Sequence, residues 1–326
     1  MTAGHRILHS VLYAGLILTL LVSPSAPQGL SGRTITIVVP YTAGTGIDIL
    51  ARIVGEELQQ RWSQPVVVEN KPGASGNIGT QYAATRPADG HTLMMIANTF
   101  VTNVGLFKSL PYDPQKSFAP IAEVAVGALA LAVHPSVPAQ SVGALIAYAK
   151  ANPGKLNYAS PGRGTPQHLA MELLKQTANI DLTHVAYSGS AGAVRDVVAG
   201  HVNAMFMPVH TVLPLAQDNQ LRLLAIGGEK RSLLAPNVPT LLEAGLTGVN
   251  VDLWYALLAP AETPHEIVAR YNKVVNDILA TPKVRDLLAQ QGLTMRGGSA
   301  EDLAQLIARD QVRWTKVIKE AGITAE

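Results

Sequence analysis

Pro40-Tyr41-Thr42-Ala43-Gly44-Thr45-Gly46-Ile47-Asp48 is a glycine-rich turn between a strand pattern and a helix pattern. Before it, Ile35–Val39 is a short β-branched run, which predicts a buried strand that ends at the proline. After it, apolar residues recur at helical spacing from Ile47 to about Trp62. A strand, a tight turn and a helix in this order begin a βαβ unit, so the stretch predicts an α/β fold.

The turn also has the features of an anion site. Thr45 can cap the helix, with Asp48 at the third helical position reaching back to the Thr45 backbone amide. The free N–H groups and the dipole of a helix start then favour a negative charge. The phosphate-loop lysine and the dinucleotide-binding pattern are both absent, so nucleotide binding is not expected. The alternative is a tight connection without ligand contact.

Two further loops pair hydroxyl residues with glycines: Ser160-Pro161-Gly162-Arg163-Gly164-Thr165 and Tyr187-Ser188-Gly189-Ser190-Ala191-Gly192. Each lies between a predicted strand and a predicted helix, where ligands of open α/β sheets bind. Glycine lets a ligand approach the backbone. Three such loops suit an oxyanion such as a carboxylate, which neutral amide donors can bind without a buried arginine. Arg163 is either solvated loop charge or a residue that closes over an anionic ligand.

Strand and helix patterns alternate along the rest of the chain, which predicts a mainly parallel sheet. Val126–Val133 has a strand pattern, whereas Trp254 and Tyr255 are predicted to pack in a core or a hinge. The last third is predicted to be mainly helical, and Ser299 with Asp302 resembles a capping box.

Composition excludes several classes of protein. The 326 residues correspond to about two domains of ordinary size. Lys and Arg number 25 against 23 Asp and Glu, so the net charge of +2 gives no electrostatic footprint for nucleic acid. Cysteine is absent, which excludes disulfides, iron–sulfur clusters, thiolate zinc sites and a cysteine nucleophile.

Catalytic and metal sites find little support in the sequence. Ser160 and His168 are near each other, but no G-x-S-x-G elbow accompanies them, so a serine hydrolase is not expected. The nine histidines form no H-E-x-x-H pattern and no tight pair, so neither a metal site nor a cofactor is predicted. Without a ligand, His168 is expected to be a helix-surface or capping residue.

The first 26 residues have the layout of a secretory signal peptide. His5 and Arg6 give a weakly basic start, Val11–Val22 is an apolar run, and Ser23–Pro27 supplies small residues and helix breakers. The run is shorter than the roughly 20 residues that a transmembrane helix needs. We therefore expect a cleaved signal peptide over residues 1–26; the alternatives are an uncleaved anchor or a buried helix.

Several motifs, in order along the whole mature chain, resemble those of one family. They are Val38-Val39-Pro40-Tyr41 with Gly46-Ile47-Asp48, Glu69-Asn70-Lys71-Pro72-Gly73-Ala74-Ser75-Gly76-Asn77-Ile78-Gly79, Leu110-Pro111-Tyr112-Asp113-Pro114, His184-Val185-Ala186-Tyr187-Ser188-Gly189-Ser190-Ala191, and Val238-Pro239-Thr240-Leu241 with Trp254 and Thr263-Pro264. On these motifs the chain resembles the periplasmic solute-binding proteins of tripartite tricarboxylate transporters, often called Bug receptors.

The resemblance implies a type II fold of two α/β lobes that close on a carboxylate like a flytrap, with a mainly parallel sheet in each lobe. Lobe one is placed at 33–131 plus 252–326 and lobe two at 132–251, so the chain crosses twice. In this family, loop amides, hydroxyl groups and bridging waters hold the carboxylate. The implied ligand-binding residues of lobe one are Tyr41, Ala43, Gly44, Thr45, Gly46, Asp48 (as a buttress), Ser75, Gly76, Asn98 and Thr99. Those of lobe two are Ser160, Gly162, Gly164, Thr165, His168, Tyr187, Ser188 and Gly189, with His210 added as a candidate near the distal pocket.

The sequence departs from the family pattern at two places. Its first loop reads Ala43-Gly44-Thr45-Gly46, where three consecutive glycines are usual. After Phe206 stand Met207 and Pro208, where many relatives carry an acid and a polar residue. The distal pocket is therefore less acidic, which disfavours an amino acid as ligand.

We expect a periplasmic receptor, not an enzyme, that binds a di-, tri- or aromatic carboxylate without metal or cofactor. It would deliver this ligand to the permease subunits of a membrane transporter. We expect a monomer with no nucleic-acid partner. The alternatives are a carboxylate receptor that serves in sensing without a permease, and an α/β enzyme with an unrecognised site.

Overall fold

The structure, a computed structural model, describes residues 32–187 and 189–325. The predicted signal peptide over 1–26 and the candidate residue Ser188 lie outside the described residues. Within the described ranges, no helix combines the length and the apolar character needed to span a membrane.

Strands and helices alternate along most of the described chain. The strands are β1 (Ile35–Val39), β2 (Val66–Asn70), β3 (Thr92–Ala97), β4 (Phe118–Gly127), β5 (Leu129–Val133), β6 (Asn157–Ser160), β7 (Thr183–Ala186), β8 (Ala204–Pro208), β9 (Arg222–Ile226), β10 (Leu253–Pro260) and β11 (Leu293–Gly297). The helices are α1 (Gly46–Trp62), α2 (Asn77–Ala84), α3 (Thr99–Leu106), α4 (Val142–Ala151), α5 (Pro166–Ala178), α6 (Ser190–Val198), α7 (Val209–Gln217), α8 (His265–Leu279), α9 (Pro282–Gln290) and α10 (Ala300–Glu320). The predicted capping box of Ser299 and Asp302 is present at the start of α10.

The strands form two sheets. The first has the strand order β11-β4-β10-β3-β1-β2 and the second has the order β7-β6-β8-β5-β9. Parallel pairs join β1 to β2 and β3, and β6 to β7 and β8. The other pairs are antiparallel: β10 with β3 and β4, β11 with β4, and β5 with β8 and β9.

Both sheets are therefore mixed, but four of the six strands in the first sheet and four of the five in the second run in the same direction, which agrees with the predicted mainly parallel sheets. The strand β5, which runs against the other strands of the second sheet, owes its direction to how the chain passes between the sheets. β4 ends at Gly127 in the first sheet and β5 begins at Leu129 in the second, so only Ala128 separates them. A strand that runs straight from one sheet into the other has no helical crossover, so it is not held to the parallel direction of βαβ units. The predicted strand Val126–Val133 is divided between the two sheets.

The middle of the first sheet contains a strand that the sequence patterns missed. β10 lies between β3 and β4, with Tyr255 opposite both Ala97 and Ala125. The sequence indicated only core or hinge packing for Trp254 and Tyr255. An apolar run of this length fits a buried strand or a buried helix segment, and periodicity alone does not separate the two.

Both sheets are buried on both faces, which gives two α/β lobes. In β1, Ile37 belongs to a buried cluster with residues of α1 and α8, whereas Val38 belongs to another with residues of α3 and α10. In β5, Leu131 clusters with residues of α4 and α5, and Ala132 with residues of α6 and α7. This alternation follows the two-residue period of a strand. The strands of the first sheet come from 35–127 and 253–297 and those of the second from 129–226; the predicted lobe boundaries stay a prediction.

Candidate ligand-binding site

A cavity of about 210 Å³ lies where the first loop meets the start of α5. The first lobe contributes the loop before α1, the junction of β3 and α3, and two residues of β10; the second lobe contributes the start of α5. The lining residues are Tyr41, Thr45, Gly46, Ile47, Ala97, Asn98, Thr99, Pro166, Gln167, Leu253 and Tyr255. A larger cavity of about 570 Å³ lies beside Glu123 and Asp252, and no predicted site residue lines it.

Three helices begin at the smaller cavity. α1 starts at Gly46, α3 at Thr99 and α5 at Pro166, and all three residues line it. The first amide N–H groups of a helix have no partner inside the helix. The side chains at the N-cap positions do not cap them either: Thr45, Asn98 and Thr165. The helix dipoles therefore direct partial positive charge at one place. None of the described lining residues is lysine or arginine, so this field comes from the backbone.

The predicted capping box at the start of α1 is not formed. The Thr45 hydroxyl donates to the Thr42 carbonyl oxygen at 2.9 Å. The Asp48 carboxylate accepts from the amide of Gly44, also at 2.9 Å, and not from that of Thr45. Because Gly44 takes a left-handed backbone conformation (φ +81°), the chain folds back one residue earlier than a capping box requires.

Asp48 lies behind the first loop and braces it. Its carboxylate also accepts from the Arg52 guanidinium (Nε to Oδ2 and Nη2 to Oδ1, both 3.0 Å) and from Asn70 Nδ2 at 3.0 Å. Asn70 in turn donates to the Tyr41 carbonyl oxygen at 3.0 Å. Burial alone would raise the pKa of Asp48, but the hydrogen bonds from Arg52, Gly44 and Asn70 together hold it below its ordinary value. The Asp48 carboxylate is therefore charged, and both of its oxygens are hydrogen-bonded. It holds the turn in place and does not line the cavity.

The junction of β3 and α3 supplies two polar residues to the cavity wall. The hydroxyl groups of Tyr41 and Thr99 are hydrogen-bonded to each other. Burial raises the pKa of Tyr41 in spite of this hydrogen bond, so its hydroxyl stays protonated. Asn98 is 2% exposed, and its Oδ1 has no hydrogen-bond partner among the described residues. A buried polar atom without a partner costs about 1–3 kcal/mol, so Asn98 is well placed to bond to a ligand.

Ser75 and Gly76 lie beside Tyr41 and do not line the cavity. Gly76 has φ +91°, and a Cβ at this position would lie 3.2 Å from the Tyr41 hydroxyl oxygen. Ser75 also has a positive φ, and its carbonyl oxygen accepts from Asn103 Nδ2 of α3 at 3.0 Å. This turn therefore supports the Tyr41 ring.

The second loop is closed by its own side chains. Ser160 is fully buried, and its hydroxyl donates to the Gly162 carbonyl oxygen at 2.9 Å and accepts from the Gly162 amide at 3.2 Å. The Thr165 hydroxyl donates to the same carbonyl oxygen at 2.7 Å. Both hydroxyl groups thus shape the loop, and the residues that reach the cavity are the next two, Pro166 and Gln167. Arg163 is exposed and does not line the cavity.

Gly164 brings the second loop against the first lobe. It has φ +72°, and a Cβ at this position would lie 2.6 Å from Cδ1 of Leu106 in α3. Only glycine satisfies both the backbone conformation and this close approach. The loop is therefore fitted to the end of the helix that begins at the cavity.

His168 and His184 lie directly behind the second loop. Their rings stack with centroids 3.8 Å apart and planes inclined by 12°. His168 Nδ1 accepts from the Gly164 amide at 3.0 Å, and His184 Nε2 lies 2.7 Å from Ser160 Oγ. Burial lowers the pKa of His168 to about 3 and that of His184 to about 4, so both rings are neutral at neutral pH. His168 is buried and caps the loop, which is one of the two positions expected for it without a ligand.

The third loop lies beside the second, outside the cavity wall. The Tyr187 amide donates to the Ser160 carbonyl oxygen at 3.0 Å, and the Gly189 amide donates to the Pro161 carbonyl oxygen at 2.9 Å. The Tyr187 hydroxyl donates to Asp196 Oδ2 at 2.7 Å. Neither Tyr187 nor Gly189 lines the cavity.

Three other predicted residues are also absent from the cavity wall. Ala43 and Gly44 are exposed on the first loop. His210 packs against the first lobe, since a Cβ on Gly292 would lie 2.4 Å from its Nδ1. Burial lowers the pKa of His210.

Six wall residues were not among the predicted ligand-binding residues: Ile47, Ala97, Pro166, Gln167, Leu253 and Tyr255. Gln167 is the second residue of a helix that follows a glycine-rich loop, so the argument for a helix-start anion site could have included it. Leu253 and Tyr255 come from β10, and nothing in the sequence placed this strand in the centre of the sheet.

The arrangement suits binding rather than bond chemistry. Ser160 and His184 are at hydrogen-bond distance, as a nucleophile and its base would be, but Ser160 is fully buried and does not line the cavity. Over residues 32–187 and 189–325, no group of three or more His, Asp or Glu side chains is arranged to hold a metal ion.

Comparison with known proteins agrees with this geometry. The family model described as the tripartite tricarboxylate transporter family receptor matches residues 50–323. Protein BugT from Bordetella pertussis is 33% identical over 304 residues, which cover 93% of each chain. The structure of Rpa4515 from R. palustris with adipate has a TM-score of 0.76 and 34% identity, covering 90% of this chain and 99% of that one. MatC from Rhodopseudomonas palustris with bound malate has a TM-score of 0.73 and 31% identity, covering 89% of this chain and 100% of that one.

These similarities extend over nearly the whole described chain, and they confirm the predicted two-lobe α/β fold of a solute-binding protein. The family is one of receptors that bind solutes and not one of enzymes, as the motifs predicted. The chain therefore belongs to the tripartite tricarboxylate transporter receptor family.

Proposed function

We propose that the protein is a periplasmic receptor that captures a small organic carboxylate between its two lobes and delivers it to a tripartite tricarboxylate-type permease. The observation that carries the proposal is the meeting of three helix N-termini, those of α1, α3 and α5, at one cavity. With no basic side chain among the described lining residues, a bound anion would be held by amide and hydroxyl groups. Such a site is favourable for a carboxylate.

The proposed ligand-binding residues divide into two groups. Those that would contact the ligand are Tyr41, Thr45, Gly46, Asn98, Thr99 and Gln167. Those that would hold the loops in place are Ala43, Gly44, Asp48, Ser75, Gly76, Ser160, Gly162, Gly164, Thr165, His168, Tyr187 and Gly189. Ser188 stays a proposed ligand-binding residue. His210 stays a candidate for the distal end of a longer ligand.

Dicarboxylates are the ligand class that we propose first. Two relatives are known with adipate and with malate, both small dicarboxylates. One carboxylate would meet the three helix starts, and the rest of the ligand would lie toward Leu253 and Tyr255. Burial raises the pKa of Tyr255 to about 12, so its hydroxyl remains a donor at neutral pH for the remainder of the ligand. Tricarboxylates and aromatic acids are the next classes to test.

Delivery to a permease would depend on closure of the lobes. A ligand drives closure only by binding the closed form better than the open one. The cavity receives groups from both lobes, so a ligand that bridges the first loop and the start of α5 favours the closed form. We propose a periplasmic location after removal of residues 1–26, lobes at 33–131 plus 252–326 and at 132–251, and a monomer that needs no cofactor.

Thermal unfolding of the mature protein with adipate, malate, citrate and benzoate tests the proposal. A ligand at about 100 times its Kd stabilises the folded protein by about 2.7 kcal/mol, so a clear rise in Tm is expected with at least one acid. Adipamide, which has the length of adipate without its charge, is the control. An equal rise in Tm with adipamide, or no rise with any of the carboxylates, would contradict the proposed function.

A further inference from the structure

A buried polar layer lies behind the second loop, outside the cavity wall. Tyr158 of β6, His184 of β7 and His168 of α5 stack in this order, with ring centroids 4.8 Å and then 3.8 Å apart. The Tyr158 hydroxyl donates to Glu172, whose carboxylate pairs with Lys175 Nζ at 2.8 Å. The two histidine rings can take up a proton in acid, and both of them contact the loop.

Each imidazole holds one point of the loop in a defined tautomer. His168 Nδ1 accepts from the Gly164 amide at 3.0 Å, so the proton of this ring is on Nε2. The single hydroxyl proton of Ser160 is given to the Gly162 carbonyl oxygen, so His184 Nε2, 2.7 Å away, must donate to Ser160 Oγ. A protonated His168 would have no lone pair left for the Gly164 amide.

We propose that His168 and His184 are positioning residues of the ligand site, which as neutral, stacked imidazoles fix the loop 160–165 and with it the start of α5. This inference rests on the proposed function, because what the loop positions is Pro166 and Gln167 in the cavity wall. It adds a regulation of that site: acid that protonates His168 removes its acceptor for the Gly164 amide, releases the loop and weakens ligand binding.

The position of the loop matters because the loop is closely packed against the first lobe. Gly164 has φ +72° and lies so close to Leu106 that an added Cβ would be 2.6 Å from its Cδ1. Loss of the hydrogen bond to the Gly164 amide therefore shifts a point of close contact between the lobes. The same shift moves the first turn of α5 relative to α1 and α3, whose N-termini face the same cavity.

The surroundings of the pair oppose its protonation. The charged and titratable groups that face it are Arg163 in the loop, Glu172 and Lys175 on α5, and Tyr158 on β6. Burial is the main cause that lowers the pKa of both histidines, Arg163 and Lys175 lower both further, and Glu172 opposes the change at His184. In a released, solvated loop an imidazole has its ordinary pKa of about 6.5. Acid therefore favours the released loop increasingly below that pH.

Three variants separate positioning from a general effect on folding. His168→Leu removes the acceptor for the Gly164 amide, whereas His168→Asn keeps a side-chain oxygen near the place of Nδ1. His265→Leu, at an exposed imidazole that begins α8, is the matched control. Adipate affinity is measured by calorimetry from pH 8 to pH 4, and thermal unfolding is recorded for each protein.

We expect His168→Leu to weaken adipate binding at pH 7 by about tenfold, the usual effect of one hydrogen bond. His168→Asn recovers most of this loss, and His265→Leu binds as the wild type does. The wild-type Kd rises as the pH falls toward 4, in part because the carboxylates of adipate take up protons there. The rise is steeper for the wild type than for His168→Asn, which lacks one titrating ring. Wild-type affinity in a folded His168→Leu variant, or equal pH profiles for wild type and His168→Asn, would overturn the proposal. If His168→Leu does not fold, the two pH profiles decide.

Nitrogen NMR of the histidine rings in the ligand-free protein distinguishes failure of this inference from failure of the proposed function. We expect His168 to carry its proton on Nε2 at pH 7 and to remain neutral well below pH 6.5. A His168 ring that titrates near pH 6.5, or one protonated on Nδ1 at pH 7, overturns the positioning role whatever the ligand is. If no carboxylate binds the wild type, the proposed function fails, and the NMR result still decides whether the neutral pair holds the loop.

Discussion

Replacing Asp48 by asparagine tests how firmly the first loop is braced. The carboxylate accepts four hydrogen bonds: Oδ2 from the Gly44 amide and Arg52 Nε, and Oδ1 from Arg52 Nη2 and Asn70 Nδ2. Asparagine has the same shape, but one of its two terminal atoms is a donor. Whichever way the new amide turns, two of the four contacts become donor against donor, and one of these always involves Arg52.

The expected cost follows from which partners can escape to water. The Arg52 side chain is 53% exposed, so it can turn outward, and its ion pair contributes about 1 kcal/mol or less. The Gly44 amide lies on an exposed loop and Asn70 is half-buried, so water can reach a donor that loses its acceptor, and the cost lies at the low end of about 1–3 kcal/mol. We therefore expect Asp48→Asn to lower the free energy of unfolding by about 1–2 kcal/mol at pH 7.

The pH dependence of this difference has a definite sign. The pKa of Asp48 is lowered in the folded protein, so its stabilising contribution is present above the ordinary value and is lost as the pH falls through the folded-state pKa. Urea unfolding at pH 7 and at strongly acidic pH should therefore show a difference between variant and wild type that shrinks in acid. Asp277→Asn is the control, because the Asp277 side chain forms an exposed pair with Lys273, and a change below about 0.5 kcal/mol is expected. A wild-type urea midpoint for Asp48→Asn at pH 7 would refute the bracing role.

Gly79→Ala would place a Cβ 2.6 Å from the Lys71 carbonyl oxygen, a backbone contact that cannot relax cheaply, so we expect urea unfolding to show a loss of more than about 2 kcal/mol. A urea midpoint of Gly79→Ala equal to that of the wild type would contradict this close packing. Asn98→Leu removes a buried amide whose Oδ1 has no described partner, so stability should hold or rise while carboxylate affinity falls by about tenfold; unchanged affinity by calorimetry would exclude Asn98 from the site. The folded-state pKa values of His168 (about 3) and His184 (about 4) lie below the ordinary 6.5, so the unfolded chain takes up protons first. The contribution of the two histidines to the free energy of unfolding should be complete above pH 6.5 and decrease toward pH 4. A urea midpoint that stays constant from pH 7 to pH 5 would contradict this prediction.

Local sequence patterns were sufficient to predict the strands and helices that form the site. The predicted strand–turn–helix units around residues 40 and 160 are present as β1–α1 and β6–α5, with bounds close to those expected. Each unit depends on residues near one another in the chain, where periodicity and turn chemistry act directly. β10 depends instead on pairing with β3 and β4, far away in sequence, and its own apolar run does not record those partners.

The loops were located from the sequence, but the direction of their side chains was not. Ser160 and Thr165 were predicted to face the ligand, yet both hydroxyl groups bond to the Gly162 carbonyl oxygen. Serine and threonine bond to their own backbone in turns as readily as to a ligand, so residue type and position do not separate the two. Likewise, no sequence pattern shows that His168 and His184 meet, since the pairing of β7 with β6 and the packing of α5 bring them together.

The central place of β10 governs the order in which the protein can assemble. Every strand of the second sheet precedes β10 in the chain, yet β10 fills the gap between β3 and β4 in the first sheet. Until β10 arrives, β3 and β4 each present an unpaired edge, which can attract other chains. Contacts between residues far apart in sequence also form slowly. The first lobe is therefore synthesised first but completed last. The strands of the second lobe are contiguous in the chain, and we expect this lobe to hold the chain so that β10 returns to its place between β3 and β4.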